Sequence, residues 1–350
     1  MKRIILTGGG TAGHVMPHLA IIPRLKAEGW DIQYIGSADG IERGLMEPHV
    51  SKYHSVSTGK LRRYFDLRNL SDPFRVIKGM SQSLGILKKE KPDIVFSKGG
   101  FVSVPVAYAA AMRRIPVILH ESDMTSGLAN RLCAPFASVI CTTFPETAKA
   151  IGKKAVACGT PLRSSLFEGS KMRARGEYGF SGEKPVLMIT GGSSGAQAVN
   201  ALVRGALDML KAFDILHICG KGNLDISLEG KKGYVQREFI DMADAYALAD
   251  LVISRAGSNT ICELLALAKP NLLIPYPATA SRGDQIDNAR SFEKRGFSKV
   301  LMQEDSTPRI LADMAIALYN NRERYISAMK DEPLADGSAI LLDQIKKYAG

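Results

Sequence analysis

The sequence predicts an α/β protein with two doubly wound, Rossmann-like domains facing across a cleft. Three observations predict it. An apolar strand, a glycine-rich loop and a helix follow one another twice, over residues 4–28 and again over residues 186–210. Between and after these openings, short apolar runs alternate with helical patterns, the signature of repeated βα units on a parallel sheet. The 350 residues, 45% of them apolar, suffice for two cores.

The first half opens with Ile-Ile-Leu-Thr at residues 4–7, an unbroken apolar run typical of a strand buried on both faces. Gly8-Gly9-Gly10-Thr11-Ala12-Gly13-His14 follows, then an apolar helix from about Pro17 to Glu28. Gly8, Gly10 and Gly13 match G-x-G-x-x-G, but a dinucleotide fold also needs an acid at the end of its second strand. That strand, Ile32 to Ile35, ends in Gly36-Ser37, and Asp39 comes late. The loop therefore reads as a close backbone approach to a ligand, not as an NAD site. His14 is expected in the first turn of the helix, where the macrodipole disfavours a second positive charge and lowers its pKa. A neutral imidazole is what a general base requires. The plainer alternative is a histidine that caps or packs.

Further strands are expected at Tyr53 to Val56, Ile94 to Ser97, Val117 to Leu119 and Val139 to Thr142. Lys98-Gly99-Gly100 and a small-residue helix to Met112 follow the second of these, and His120-Glu121-Ser122-Asp123 follows the third. Residues 60–91 differ, because Arg62, Arg63, Arg68, Arg75 and Lys78 interleave with Leu61, Tyr64, Phe65, Phe74 and Ile77. That mixture suits an anionic bilayer surface, apolar side down, but the residues alone slightly favour an ordinary amphipathic helix with a solvated basic face.

Gly159-Thr160-Pro161 reads as a hinge. The domains are then residues 1–161, residues 162–330, and a terminal segment 331–350 whose helix, Ser338 to Tyr348, is expected to cross back onto the first domain. The second half repeats the opening with a strand from Val186 to Thr190, Gly191-Gly192-Ser193-Ser194-Gly195, and a helix from Ala198 to Leu210. Strands at Ile215 to Cys219, Tyr234-Val235, Leu251 to Ile253 and Asn271 to Pro275, and helices at 241–249 and 308–329, complete it. After Leu251 to Ile253 come Arg255-Ala256-Gly257, and Ser258 or Asn259 can cap a helix running to about Ala268. Its first turn, Ser258-Asn259-Thr260, offers N–H groups to a phosphate. Glu263, a turn further on, can accept from two ribose hydroxyls, and Gln285, opening the next helix, can hold sugar hydroxyls. A capped helix with a surface Glu and a surface Gln is the alternative.

Composition narrows the function classes. A net charge of +11 implies an anionic partner. Nucleic acid is the weakest candidate, with 7% aromatics and no basic recognition motif. No 18-residue apolar run exists to span a membrane, and Met1-Lys2-Arg3 leads straight into a strand without a secretion signal. Five cysteines form no CxxC pair, which fits a reducing compartment and no zinc site.

Six pieces share one order and spacing across nearly the whole chain. They are Gly9-Gly10-Thr11-Ala12-Gly13-His14-Val15, Ser97-Lys98-Gly99-Gly100-Phe101-Val102-Ser103, His120-Glu121-Ser122-Asp123, Gly191-Gly192-Ser193-x-Gly195, Ser254-Arg255-Ala256-Gly257 through Glu263, and Asp284-Gln285-x-x-Asn288-Ala289. In these the sequence resembles the MurG family of bacterial peptidoglycan glycosyltransferases, which add N-acetylglucosamine to undecaprenyl-pyrophosphoryl-N-acetylmuramoyl-pentapeptide (lipid I), giving lipid II. The resemblance implies an inverting, metal-independent transferase of the two-domain GT-B type, with UDP-N-acetylglucosamine as substrate and no cofactor. It implies a peripheral protein on the anionic inner leaflet, at the cytoplasmic face of the cell membrane. By motif, Thr11, Ala12 and Gly13 are expected to contact the donor, Arg163 and Ser193 to hold its diphosphate, Ile240 to present backbone to uracil, Glu263 to bind ribose and Gln285 the sugar. His14 is the expected base, with Glu121 or Asp123 as possible helpers. Asp123 stands where many members have Asn, which puts an amide contact in doubt. Ala12 replaces a common Gly and restricts the loop. A transferase with a diacylglycerol acceptor, a sugar-nucleotide epimerase and a non-catalytic sugar-nucleotide-binding protein are the rivals.

Overall fold

The computed structural model describes residues 1–59, 72–192, 196–279, 282–333 and 336–350. In chain order, the elements through the first half are β1 (Arg3–Thr7), α1 (Met16–Ala27), β2 (Asp31–Gly36), α2 (Ile41–Met46), β3 (Lys52–Ser55), α3 (Asp72–Glu90), β4 (Ile94–Ser97), α4 (Ser103–Met112), β5 (Val117–Glu121), α5 (Leu128–Cys133), β6 (Val139–Thr142), α6 (Pro145–Ile151) and β7 (Ala155–Ala157). The second half contains α7 (Lys171–Tyr178), β8 (Val186–Thr190), α8 (Gln197–Ala206), β9 (Asp214–Ile218), β10 (Tyr234–Arg237), α9 (Met242–Leu248), β11 (Leu251–Ser254), α10 (Ser258–Ala266), β12 (Asn271–Leu273), α11 (Asp284–Lys294), β13 (Lys299–Val300), α12 (Pro308–Asn320) and α13 (Arg322–Lys330). The chain ends with α14 (Ser338–Tyr348).

The chain divides into two compact units: Met1–Arg163 with Asp336–Gly350, and Ser164–Ala335. Among the described residues, the first unit carries a sheet in the order β3-β2-β1-β4-β5-β6-β7 and the second a sheet in the order β10-β9-β8-β11-β12-β13. Every pairing in both is parallel. The first unit's sheet is buried on both faces, which explains the unbroken apolar run at its start. Ile4 and Leu6 face a cluster with Ile21, Leu25 and Trp30. Ile5 faces the opposite cluster, with Leu87, Val95 and Val106. Leu341, Leu342 and Ile345 of α14 complete the first of these clusters, and the Gly337 N–H bonds the Thr160 carbonyl at 2.9 Å.

In the second unit, Leu187, Ile189, Leu251 and Ile253 pack against Val199 and Val203 of α8 and Leu311 and Ala315 of α12. His217 lies in this unit's β9 and is fully buried. Its Nε2 faces Asn200 Oδ1 at 2.9 Å and its Nδ1 faces the Tyr234 hydroxyl at 2.8 Å. The Asn200 amide nitrogen is committed to the Cys219 carbonyl at 2.9 Å, so Asn200 Oδ1 accepts from His217 Nε2–H. One neutral tautomer satisfies both contacts. Burial drives the His217 pKa down to about 3.

Several local expectations change in three dimensions. The expected helix over 308–329 is two, α12 and α13, broken at Asn321. The expected helix to Leu210 ends at Ala206 and continues as a 3₁₀ turn over Leu207–Met209. The strand expected to reach Pro275 stops at Leu273. The edge strands β7 and β13 span three and two residues, too few for a periodic signal. All five cysteines are buried, and no disulfide joins them among the described residues.

Candidate active site

In both units the strand order reverses beside the strand that opens the motif: β1 lies between β2 and β4, and β8 between β9 and β11. At such a reversal the loops leaving neighbouring strands diverge and open a crevice at the carboxyl edge. In the first unit these are the loop from Gly8 to His14, after β1, and Lys98-Gly99-Gly100, after β4. In the second they are Gly191-Gly192, after β8, and Arg255-Ala256-Gly257, after β11.

The first unit's loop is held from several sides. The Tyr34 hydroxyl donates to the Gly8 carbonyl at 2.7 Å. The Gly10 N–H donates to Glu42 Oε2 at 3.2 Å, and Glu42 Oε1 also accepts from the Ser37 N–H at 3.0 Å and from the Ser37 hydroxyl. Gly100, at φ +82°, approaches so closely that a Cβ there would lie 2.3 Å from the Gly9 carbonyl oxygen. That left-handed backbone and that approach together require glycine. Thr11 and Gly13 are exposed and Ala12 is half-buried.

His14 does not sit in the first turn of α1. It ends a 3₁₀ turn over Ala12–His14, closed by its N–H on the Thr11 carbonyl at 3.2 Å, and α1 begins at Met16. His14 thus lies just before the amino end of α1, where the helix dipole is positive, rather than inside its first turn. Hydrogen bonding orients the ring. Nδ1 lies 3.0 Å from the Gly9 carbonyl oxygen and 3.2 Å from Thr11 Oγ1. A carbonyl oxygen only accepts, so Nδ1 carries the hydrogen and the neutral ring has its lone pair on Nε2.

Beneath the loop, His18 is fully buried and packs edge-on against Tyr34 and Phe96. Burial first, and the Lys98 charge second, hold its pKa well below the usual histidine range. Lys98 is itself buried and donates to Ser122 Oγ at 2.6 Å and to His120 Nδ1 at 2.7 Å. His120 Nε2–H in turn donates to the Gly159 carbonyl at 2.9 Å. Glu121 is a clamp rather than a helper base. Its buried carboxylate accepts from the Asp123 N–H at 3.1 Å, the Gly127 N–H at 3.0 Å and Asn130 Nδ2 at 2.9 Å. Asp123 is half-buried in the loop after β5, and Arg163 is half-buried at the end of the unit's main segment.

The second unit gathers most of its expected residues on one sheet edge. Ile240 follows β10, directly before Asp241, whose side chain caps α9. Gly257, in extended backbone, occupies the N-cap of α10, so Ser258 is its first helical residue rather than its cap. Asn259 and Thr260 complete that first turn. Glu263 lies one turn further, half-buried, and accepts from the Tyr246 hydroxyl at 2.9 Å, which ties α10 to α9. Asn288 is fully buried and donates to the Ala256 carbonyl at 3.3 Å, fixing α11 beside the same loop. Gln285 accepts from the Tyr276 N–H at 3.3 Å, and a Cβ at Gly257 would lie 4.0 Å from its Nε2. Arg255 is a strut. Its guanidinium bonds the Ile274 and Pro275 carbonyls at 3.0 Å and Gln303 Oε1 at 2.7 Å, and stacks over Tyr276. Ser193 lies outside the described residues, as do Arg62, Arg63 and Arg68.

Glu42, Tyr34 and Tyr246 carry roles that the sequence did not single out. Each acts through a partner distant in sequence, Gly10, Gly8 and Glu263, which no local motif marks.

Two doubly wound units, each with glycine-rich loops at its switch point, are the architecture that two-domain glycosyltransferases use. Residues 4–142 match the model of the glycosyltransferase family 28 N-terminal domain, and residues 186–344 that of the family's C-terminal domain. The chain belongs to glycosyltransferase family 28 and is a glycosyltransferase. It is 54% identical over 352 aligned positions to the UDP-N-acetylglucosamine–N-acetylmuramyl-(pentapeptide) pyrophosphoryl-undecaprenol N-acetylglucosamine transferase of Clostridium kluyveri, covering 99% of this chain and 100% of that one. The enzyme of the same name from Clostridium tetani is 52% identical, covering 99% and 98%. The crystal structure of Acinetobacter baumannii MurG superposes with a TM-score of 0.80 at 25% identity, covering 99% of this chain and 100% of that one.

Proposed function

We propose that this enzyme transfers N-acetylglucosamine from UDP-N-acetylglucosamine to the muramoyl sugar of lipid I, forming lipid II with inversion at the anomeric carbon. The observation that carries this reading is the 54% identity, end to end, to a transferase named for that reaction. That likeness does not favour the diacylglycerol-acceptor or non-catalytic readings.

In this reading the first unit activates the acceptor. The acceptor hydroxyl gives its proton to His14 Nε2 as its oxygen bonds the anomeric carbon. The bond from that carbon to the β-phosphate oxygen breaks, and UDP leaves with the electron pair. The second unit recognises the donor: Glu263, oriented by Tyr246, takes the ribose hydroxyls, Ile240 backbone meets the uracil, and Gln285 takes the sugar. The departing diphosphate is assigned to Ser193, the Gly191-Gly192 loop, the Ser258-Asn259-Thr260 turn and Arg163. Thr11, Ala12 and Gly13 are assigned to the donor, and Asp123 to the acceptor. Dipoles and arginine absorb the charge, so no metal or other cofactor is needed.

His14→Ala is expected to cut turnover about 10²–10⁴-fold with UDP affinity intact. Near-normal turnover would remove His14 from the role.

The same reading makes the protein peripheral on the anionic cytoplasmic face of the cell membrane. What supports this is the start of α3, where Phe74 and Ile77 are 75% and 60% exposed beside the exposed Arg75 and Lys78. Among the described residues, no helix is long and apolar enough to cross a membrane.

A further inference from the structure

We propose that Glu42 is a positioning residue for His14, acting through the Gly9–Gly10 peptide. One peptide unit bonds both side chains. Its carbonyl oxygen accepts from His14 Nδ1–H at 3.0 Å, and its N–H donates to Glu42 Oε2 at 3.2 Å. The arrangement is an acid–histidine pair with one amide inserted between the two partners. A carboxylate on the N–H side polarises the amide and makes its carbonyl a stronger acceptor. The histidine is then held in the Nδ1–H tautomer, and the imidazolium formed when Nε2 takes a proton is stabilised.

The surrounding chain reserves space for this carboxylate. Glu42 is fully buried although it lies in the first turn of a six-residue helix. A Cβ on Gly9 would come within 2.6–2.8 Å of its carboxyl group, and one on Gly40 within 2.2–2.3 Å of its oxygens. A Cβ on Gly36 would lie 3.1 Å from its Cγ. The Ser37 N–H and hydroxyl fix Oε1, which leaves Oε2 aimed at the loop. On the other side of the loop stand His18 from α1, Lys98 from β4's end and His120 from β5, all buried. Of these the Lys98 charge opposes protonation of His14, and the Glu42 charge favours it.

This inference rests on His14 as the base, and the experiment separates the two. The pH dependence of kcat/KM is measured with UDP-N-acetylglucosamine and a soluble lipid I analogue for wild type, Glu42→Gln, Glu42→Asp, His14→Ala and the double variant His14→Ala/Glu42→Gln. Neutral His14 is the active form, so activity falls as pH drops through its pKa. Without the Glu42 charge that pKa falls, so the acid limb moves to lower pH, by roughly one unit. A weaker base also transfers more slowly, so kcat drops on the order of tenfold, with the donor KM within about twofold of wild type. Glu42→Asp keeps the charge and is expected to keep the limb near its wild-type position. The double variant is expected to be no slower than His14→Ala alone. An acid limb and kcat unchanged in Glu42→Gln overturn the relay while His14 stands. Wild-type turnover in His14→Ala overturns the base assignment instead. Should Glu42→Gln fail to fold, ¹H–¹⁵N correlation spectra of wild-type His14 decide: the Nδ1–H tautomer is expected, and the Nε2–H tautomer defeats the relay.

Discussion

Gly100→Ala tests the packing that holds His14 in place. Gly100 has φ +82°, and a Cβ there would lie 2.3 Å from the Gly9 oxygen and 3.2 Å from the Gly9 carbon and nitrogen. Two costs add. The left-handed backbone costs an L residue about 1–2 kcal/mol. Overlap with a backbone carbonyl, which cannot rotate away as a side chain does, costs about 1–3 kcal/mol more. Gly29 separates the two costs, because it lies in the same unit at φ +77°, in the left-handed turn that ends α1, with nothing within 4 Å of its Cβ position. Gly29→Ala therefore carries only the first cost. Gly100→Ala should melt lower than Gly29→Ala by roughly 2–10 °C, at a few degrees per kcal/mol. The functional effect should be sharper still. The displaced Gly9 carbonyl is the group that orients His14, so Gly100→Ala should lose turnover about tenfold or more, while Gly29→Ala stays near wild type. Calorimetry of both variants and turnover at saturating donor measure this. Equal midpoints with full turnover in Gly100→Ala would refute the packing argument.

Other expectations follow from the second unit and from α3. Tyr246→Phe removes a 2.9 Å hydrogen bond to Glu263 and should weaken donor binding about fivefold, with Glu263→Ala weaker again; unchanged donor affinity in both would discard the ribose assignment. His217 is buried neutral with its pKa near 3, against 6.5 unfolded. Between those pH values the unfolded chain binds more protons, so acid costs stability there, at most about 1.4 kcal/mol per pH unit. His217→Gln should flatten that dependence in urea melts; curves parallel to wild type would contradict it. Phe74→Ser with Ile77→Ser should cut binding to phosphatidylglycerol-containing vesicles roughly tenfold without slowing transfer to a soluble acceptor, and equal vesicle binding would make α3 an ordinary amphipathic helix.

Much of the fold was legible because buried parallel strands such as Ile4-Ile5-Leu6 leave long apolar runs, and because glycines punctuate the strand ends at Gly8–Gly10, Gly99-Gly100 and Gly191-Gly192. The short edge strands β7 and β13 leave no such pattern, and the break at Asn321 has no proline or glycine to announce it. The candidate site was legible as motifs, not as geometry. Glu42 sits in Asp39-Gly40-Ile41-Glu42-Arg43, which looks like a solvated turn. Its burial depends on the spatial meeting of Gly9, Gly36 and Gly40, which local periodicity does not encode. His14 was placed correctly in sequence but not in a helix, because a 3₁₀ turn and an α-helical first turn share the same residue preferences.

Metal-free sugar transfer from a uridine diphosphate donor is tested most directly by one assay: turnover of UDP-N-acetylglucosamine with a lipid I analogue, with and without EDTA. Equimolar UDP and a β-linked disaccharide product, formed at the same rate in chelator, are the expected result. No transfer to that acceptor, or activity abolished by EDTA and restored by a divalent ion, would contradict it.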